Sequence, residues 1–156
     1  MQKISKNIEE TREIAEDFFS KLKPIKNQAT IVCLFGDLGA GKTAFTQSVA
    51  KNLGIKRKVA SPTFVIMKNY ELPNNTIRKN FSESSFFEHF IHIDAYRLKN
   101  EKELLQLGFE GVISNPKNLV FIEWPENIKK ALPKKHYKIE ISHTKEGHRK
   151  FKIKNF

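Results

Sequence analysis

The sequence predicts an α/β fold, a sandwich with a partly parallel central sheet and antiparallel additions. Short continuous apolar runs, typical of strands buried on both faces of a parallel sheet, alternate with segments of helical periodicity. Towards the carboxyl end, two segments instead alternate apolar and polar residues, which indicates half-exposed antiparallel strands. The chain has 156 residues and no internal repeat, so we expect one domain over residues 1–156.

The first predicted element is an amphipathic helix over Ile8 to Leu22. Its apolar residues recur at helical spacing, and Asn7 and Glu10 stand at the positions of an N-cap residue and its N3 partner. Pro24 ends this helix. The apolar run Ile31 to Phe35 then predicts a strand buried on both faces.

A second helix is expected from about Lys42, and Gly54 stands where a left-handed residue would stop it. Two strands follow, over Phe64 to Glu71 and Phe87 to Tyr96, separated by a polar loop, and we expect them to pair as a hairpin. The remaining predicted elements are a helix over Glu101 to Leu107, a buried strand over Leu119 to Trp124, and strands over Tyr137 to Ser142 and Arg149 to Lys154.

The segment Gly36 to Thr43 matches the phosphate-binding pattern G-x-x-x-x-G-K-[ST] in full. Glycines let several backbone N–H groups approach a phosphate, and the N-terminus of the following helix favours the anion. Lys42 would reach the β- and γ-phosphates, and the Thr43 hydroxyl would bind Mg²⁺. These features indicate a P-loop NTPase-type sandwich that binds ATP and Mg²⁺. The expected nucleotide-binding residues of this loop are Asp37, Leu38, Gly39, Ala40, Gly41, Lys42 and Thr43.

A magnesium-nucleotide site also needs an acidic residue at the end of a neighbouring strand. Glu123 ends one apolar run and Asp94 ends another. The spacing alone leaves open which of the two holds the metal, and either acid could merely pair with a basic neighbour such as Arg97. His92 is interpreted as a packed strand histidine and stays outside the predicted site.

The composition indicates the compartment and the class of partner more than it indicates the reaction. Lys and Arg total 28 against 17 Asp and Glu, a formal charge of +11 that favours polyanionic partners or only reflects a lysine-rich composition. Cys33, the single cysteine, excludes an intrachain disulfide, and no apolar run is long enough to span a membrane. These features predict a cytoplasmic protein without a membrane partner.

Four blocks together resemble one known family. They are GDLGAGKT, then SPTF from Ser61, then HIDAYRL from His92, then EWPE from Glu123. In this order they resemble the TsaE (YjeE) family, small bacterial ATPases of tRNA threonylcarbamoyladenosine synthesis. The resemblance covers the chain from the first helix to the last strands and implies a small P-loop sheet with helices on its faces.

The resemblance also implies roles for individual residues. Thr43 and Glu123 would bind Mg²⁺, Asp94 would serve hydrolysis together with Lys42, and Thr63 would be a switch residue, although a turn after Pro62 explains Thr63 equally well. Further nucleotide contacts are implied for Trp124, Glu126 and Arg149. The implied partner is a complex of the TsaB and TsaD type, which modifies the adenosine beside the anticodon, so that tRNA is reached through that complex.

Other function classes fit the sequence less well. A self-sufficient small-molecule kinase would use the same P-loop, but it should carry an arginine-rich lid, and the sequence shows none. A regulatory GTPase would need an Asn-Lys-x-Asp segment, which is missing. A nucleic-acid-binding module would rest on positive charge alone.

Overall fold

The computed structural model describes residues 1–57, 59–62, 64–73 and 87–155. Within these residues, seven strands form one sheet in the order β1-β7-β6-β2-β5-β4-β3. The strands are β1 (Gln2–Ser5), β2 (Thr30–Phe35), β3 (Met67–Glu71), β4 (His89–Asp94), β5 (Asn118–Glu123), β6 (Tyr137–His143) and β7 (Arg149–Lys154). The helices are α1 (Ile8–Lys21), α2 (Lys42–Asn52), α3 (Glu101–Leu105), α4 (Phe109–Ser114) and a 3₁₀ helix over Pro125–Ala131.

The centre of the sheet is parallel and its two edges are antiparallel. Strand β2 pairs in parallel with β5 and with β6, and β5 pairs in parallel with β4. Strands β3, β7 and β1 add the antiparallel pairs β3–β4, β6–β7 and β1–β7. The predicted fold class, a partly parallel α/β sandwich with antiparallel additions, is confirmed, and so is the pairing of β3 with β4.

The side chains of β2 point alternately to the two faces of the sheet, and the core has one layer on each face. Val32 and Leu34 belong to the cluster that packs against α1 and α2. Ile31 and Cys33 face the opposite cluster, formed with α3, α4 and the 3₁₀ helix. Burial raises the pKa of the Cys33 thiol to about 12, so this cysteine behaves as a small apolar residue of the core. The run Ile31 to Phe35 therefore lies between two layers, as its continuous apolar character predicts.

The ends of the first two helices follow the sequence signals. The Asn7 side chain accepts a hydrogen bond of 2.9 Å from the backbone N–H of Glu10, which confirms the N-cap. The Glu10 carboxylate bonds the N–H of Lys6, one residue before the cap. After α2, Gly54 adopts φ 79°, the left-handed conformation expected there.

Several predicted boundaries were wrong. The strand predicted from Phe64 begins at Met67, because Val65 and Ile66 both donate to the carbonyl of Pro62 and close a turn. The strand predicted to end at Trp124 ends at Glu123, since Trp124 turns to φ 58°. The strand predicted over Phe87 to Tyr96 and the helix predicted to Leu107 are shorter than expected.

Three short elements were not predicted: β1, α4 and the 3₁₀ helix. Most of the polar loop between the hairpin strands, residues 74–86, lies outside the described residues. Among the described residues, no helix is both long enough and apolar enough to cross a membrane.

Candidate functional site

The candidate site lies where the parallel strands end, beside the N-terminus of α2. On β4 the row Phe90, His92 and Asp94 points to the face covered by α2, and on β5 the row Phe121 and Glu123 does the same, since side chains alternate along a strand. Asp94 and Glu123 are register partners at the carboxyl ends of adjacent strands. The apolar rows therefore end in polar groups directed at the loop before α2.

The loop Gly36 to Gly41 has the conformation that its glycines permit. Gly36, Gly39 and Gly41 have φ of 144°, 78° and 107°, which residues with a side chain rarely adopt. A Cβ on Gly36 would lie only 2.3 Å from the carbonyl oxygen of Ile141 on β6. Gly41 is the N-cap residue of α2 and offers no side-chain acceptor to the first-turn N–H groups. These N–H groups can therefore serve an anion.

Lys42 is buried at the centre of the site, with 4% of its surface exposed. Its Nζ donates to the carbonyl oxygens of Gly36 at 2.6 Å and Asp37 at 2.9 Å, and lies 4.0 Å from the centre of the Trp124 ring. Burial lowers the pKa of Lys42, while the charge of nearby Glu123 acts in the opposite direction. Backbone carbonyls, an aromatic face and carboxylates thus stabilise a cation held largely away from water.

Thr43 and Glu123 meet across the gap between α2 and β5. The Thr43 hydroxyl donates to Glu123 Oε1 at 2.9 Å and Oε2 at 3.0 Å. The buried carboxylate of Glu123 also lies 2.8 Å from His92 Nε2. Three residues far apart in sequence therefore form one hydrogen-bonded group beside the P-loop.

Asp94 is held by a separate set of bonds. Ser61 donates its hydroxyl to Asp94 Oδ2 at 2.7 Å, and the N–H of Tyr96 donates to Oδ1 at 3.0 Å. The N–H of Asp94 itself bonds the carbonyl of Ile66, a β-branched residue at φ 64°. The SPTF block, Ser61 to Phe64, is thus attached to Asp94 through Ser61, while Thr63 lies outside the described residues.

The three remaining predicted contacts surround the same loop. Trp124 turns in a left-handed conformation that places its ring against Lys42 and 4.9 Å from the ring of Tyr96. The side chain of Arg149 lies over Gly41, since a Cβ there would meet its Nε at 3.1 Å. Within the described residues, Arg149 Nε and Glu126 Oε2 are buried without a hydrogen-bond partner. Such buried polar atoms require a partner, which a polar ligand can supply.

The residues present fit ATP with Mg²⁺. The Thr43 hydroxyl and the Glu123 carboxylate are hard oxygen donors, and they lie next to a glycine loop with free N–H groups and the Lys42 ammonium. In the described ranges, no three His, Cys, Asp or Glu side chains cluster closely enough to enclose a metal. A cation held by one or two protein oxygens and completed by phosphate and water, the usual arrangement for Mg²⁺, suits this donor set.

The structure brings together the predicted residues Asp37 to Thr43, Asp94, Glu123, Trp124 and Arg149 at one end of the sheet. Leu38 differs from its neighbours, because its side chain is 77% exposed at the tip of the loop. His92, excluded by the sequence analysis, contacts Glu123 directly. The signal was available, because His92 stands two residues before Asp94 and so shares its face of the strand.

Comparisons with known proteins agree with one another. A family model described as "Threonylcarbamoyl adenosine biosynthesis protein TsaE" matches residues 5–151. A Rickettsia bellii protein named tRNA threonylcarbamoyladenosine biosynthesis protein TsaE is 39% identical over 133 residues, which cover 85% of this chain and 79% of that protein. A Bacillus subtilis protein of the same name is 35% identical over 145 residues, covering 92% and 78%. The crystal structure of Bacillus subtilis YdiB aligns with a TM-score of 0.74 at 28% identity, over 99% of this chain and 84% of that one.

Proposed function

The chain belongs to the TsaE family of tRNA threonylcarbamoyladenosine biosynthesis, and we propose that it is the ATP-binding and ATP-hydrolysing subunit of that synthesis. The observation that carries the proposal is the contact of Thr43 with Glu123 at 2.9 Å beside the P-loop. A P-loop hydroxyl next to a strand-end carboxylate is the arrangement by which NTPases of this class hold a magnesium-nucleotide complex.

ATP binding would rest on the loop and on α2. The N–H groups of residues 38–43 and the N-terminus of α2 would receive the phosphates. Lys42 would exchange its two carbonyl acceptors for phosphate oxygens, which are stronger acceptors because they carry charge. The unpaired buried atoms of Glu126 and Arg149 support further polar contacts with the nucleotide at the rim of the loop.

Thr43 and Glu123 would hold Mg²⁺, which neutralises charge on the phosphate oxygens when it is bound. Asp94 would orient the attacking water and accept its proton, since the bonds from Ser61 and Tyr96 fix its carboxylate beside Glu123. Thr63, the proposed switch residue, follows Ser61 by two positions in the same block. Each of these assignments is a separate proposal about one residue.

Hydrolysis would depend on a partner complex of the TsaB and TsaD type. The chain would act in the cytoplasm, and it would reach tRNA through that complex. Efficient phosphoryl transfer needs a further cation at the γ-phosphate, and an arginine supplied for this purpose accelerates transfer by about 10³- to 10⁵-fold. The Arg97 guanidinium instead lies 4.4 Å from the centre of the exposed Phe64 ring. Docking of a partner would complete the site by supplying this cation.

The test is steady-state phosphate release by the chain alone and by the chain with a purified TsaB–TsaD pair. We expect slow release alone, a rise of at least about tenfold with the pair, and no rise for Asp94→Asn, which should still bind ATP. Glu123→Gln should instead weaken Mg²⁺-dependent binding. Arg97→Ala is the matched control for an internal arginine.

Fast release by the chain alone that is lost in Arg97→Ala and unaffected by the pair would contradict the proposal. Such a result, together with a phosphorylated small-molecule acceptor, would favour a self-sufficient kinase. Equal binding affinities for GTP and ATP would contradict the proposal that ATP is the nucleotide.

A further inference from the structure

His92 lies beside the carboxylate proposed to hold the metal, and the proposed function gives it no role. The residue is fully buried on β4, and its Nε2 lies 2.8 Å from Oε1 of Glu123, which is 3% exposed. Within the described part of the chain, the other ring nitrogen, Nδ1, has no hydrogen-bond partner. The polar interaction of this imidazole is therefore directed at Glu123.

We propose that His92 is a positioning residue for Glu123. Its Nε2–H donates to Oε1 and fixes the rotation of the carboxylate, so that both oxygens stay within reach of Thr43 and Oε2 remains available to the metal. The inference rests on the proposed function, in which Glu123 and Thr43 hold Mg²⁺. His92 itself does not touch the nucleotide or the attacking water, because none of its surface is exposed.

Packing alone does not account for an imidazole at this place. His92 continues an apolar row of β4 that includes Phe90, and its register partner on β5 is Phe121. Burying a polar ring costs free energy unless it is hydrogen-bonded, and an apolar side chain would fill the same space without that cost. The bond to Glu123 is the feature that only a donor at the position of Nε2 provides.

The two carboxylate oxygens of Glu123 are not equivalent. Oε1 accepts from both His92 and Thr43, whereas among the described residues Oε2 accepts from Thr43 only. Without His92, the described residues would hold the carboxylate only from the side of the P-loop, through the same hydroxyl that is proposed to bind the metal. A hydrogen bond from the opposite side holds the group whether or not Thr43 changes partner. Such outer partners typically contribute about 10- to 100-fold in metal affinity.

The test compares two substitutions at His92. His92→Gln places an amide N–H at the position of Nε2 and keeps the donor, whereas His92→Leu has a similar volume and no donor. Ile93→Val is the matched control, because it removes one methyl group from the same strand on the opposite face of the sheet. Binding of a fluorescent ATP analogue is measured in EDTA and across a Mg²⁺ titration, with the melting temperature of each variant.

We expect His92→Leu to raise the half-saturating Mg²⁺ concentration about tenfold while changing the affinity in EDTA by less than about twofold. His92→Gln should stay within about threefold of the unchanged chain, and Ile93→Val should change only the melting temperature. If His92→Leu does not fold, His92→Asn replaces it, because the shorter amide does not reach Oε1.

A purely structural role would lower the melting temperature and leave the Mg²⁺ titration unchanged, and that result would overturn the proposal. An equal loss of affinity with and without Mg²⁺ would do the same, since it would place His92 on the nucleotide side. An unchanged chain that binds no nucleotide even with Mg²⁺ would overturn the proposed function first, and this role with it.

Discussion

The two halves of the sheet carry their ionisable residues in opposite ways. On the parallel strands β4 and β5, the residues Asp94, Glu123 and His92 are buried at the carboxyl ends, and each is hydrogen-bonded. On the antiparallel strand β7, Lys152 and Lys154 point outwards, while Phe151 and Ile153, which alternate with them, are buried. Buried ionisable groups cost free energy and need a reason to be there, whereas exposed lysines do not.

The comparison shows that buried ionisable residues indicate chemistry, whereas exposed lysines indicate only the composition of the chain. The formal charge of +11 is the more conspicuous property of the sequence, yet the lysines of β6 and β7 are partly or fully exposed and alternate with buried apolar residues. The site is built from one buried lysine and a few buried acids at the ends of apolar strands. Location relative to the sheet, more than the number of charges, identifies the candidate functional residues.

The largest expected effect tests this contrast between buried and exposed lysines. Lys42→Ala should weaken ATP binding by about 10- to 100-fold, because a charge-assisted contact contributes roughly 1.5 to 3 kcal/mol. Lys152→Ala removes the same charge from the antiparallel edge and should change the affinity by less than about twofold. Isothermal titration of ATP into both variants measures the difference.

Equal losses in the two variants would mean that net charge, and not the buried site, governs the affinity. A folded Lys42→Ala variant with unchanged affinity would contradict the assignment of the loop itself. Circular dichroism of each variant checks that the chain is folded.

Single elements also differ in how far the sequence predicts them. The loop Gly36 to Thr43 and the strands β2 and β5 could be predicted, because a P-loop is contiguous in sequence and a strand between two layers is continuously apolar. Strand β1 could not, because the short polar segment Gln2–Ser5 becomes a strand only by pairing with β7 at the other end of the chain.

The sequence also does not predict some short elements and side-chain contacts, for related reasons. Helix α4 has six residues and contains Gly111, so its periodicity is too brief to detect. The left-handed turn at Trp124 has no usual sequence signal, because positive φ favours glycine or asparagine and not tryptophan. His92 was missed because a lone strand histidine is usually packed in a core, and its bond to Glu123 joins residues 31 positions apart.

A second prediction tests whether the conformation of the P-loop depends on its contact with strand β6. Gly36 belongs to the P-loop, but a Cβ at this position would meet the carbonyl oxygen of Ile141 on β6 at 2.3 Å. Gly36→Ala should therefore displace the loop from β6, lower the free energy of unfolding by about 1 to 3 kcal/mol and weaken ATP binding. Urea denaturation and ATP titration measure the two effects.

Gly39→Ala is the matched control for this prediction. Gly39 also has positive φ, at 78°, but in the described structure no atom lies within 4 Å of its added Cβ. Only the backbone strain remains, so we expect a loss of about 1 kcal/mol. Equal effects of the two substitutions would show that the contact with β6 does not hold the loop.

The smallest expected effect concerns an acid that, unlike Asp94 and Glu123, is solvated. Asp17 on α1 accepts hydrogen bonds from Lys21 and from Lys3 on β1, and these bonds lower its pKa below the ordinary value of 3.8. Its side chain is 28% exposed, so the pairs resemble surface ion pairs, which contribute at most about 1 kcal/mol. Asp17→Asn should therefore cost roughly 0.5 to 1 kcal/mol of stability at pH 7, by loosening β1 from α1.

The sign of the pH dependence follows from the lowered pKa of Asp17. Because the folded-state pKa lies below the unfolded value, the stabilisation is complete above about pH 3.8 and is lost as the pH falls through the folded-state pKa. The difference in free energy of unfolding between Asp17→Asn and the unchanged chain should thus be constant from pH 7 to about pH 5 and shrink below pH 3.8. Urea denaturation across this range measures it, with Glu9→Gln, which removes a more exposed pair with Arg12, as the control. A difference that stays constant down to pH 3 would mean that Asp17 acts through packing and not through its charge, and the distinction between solvated and buried acids would then fail at this edge of the sheet.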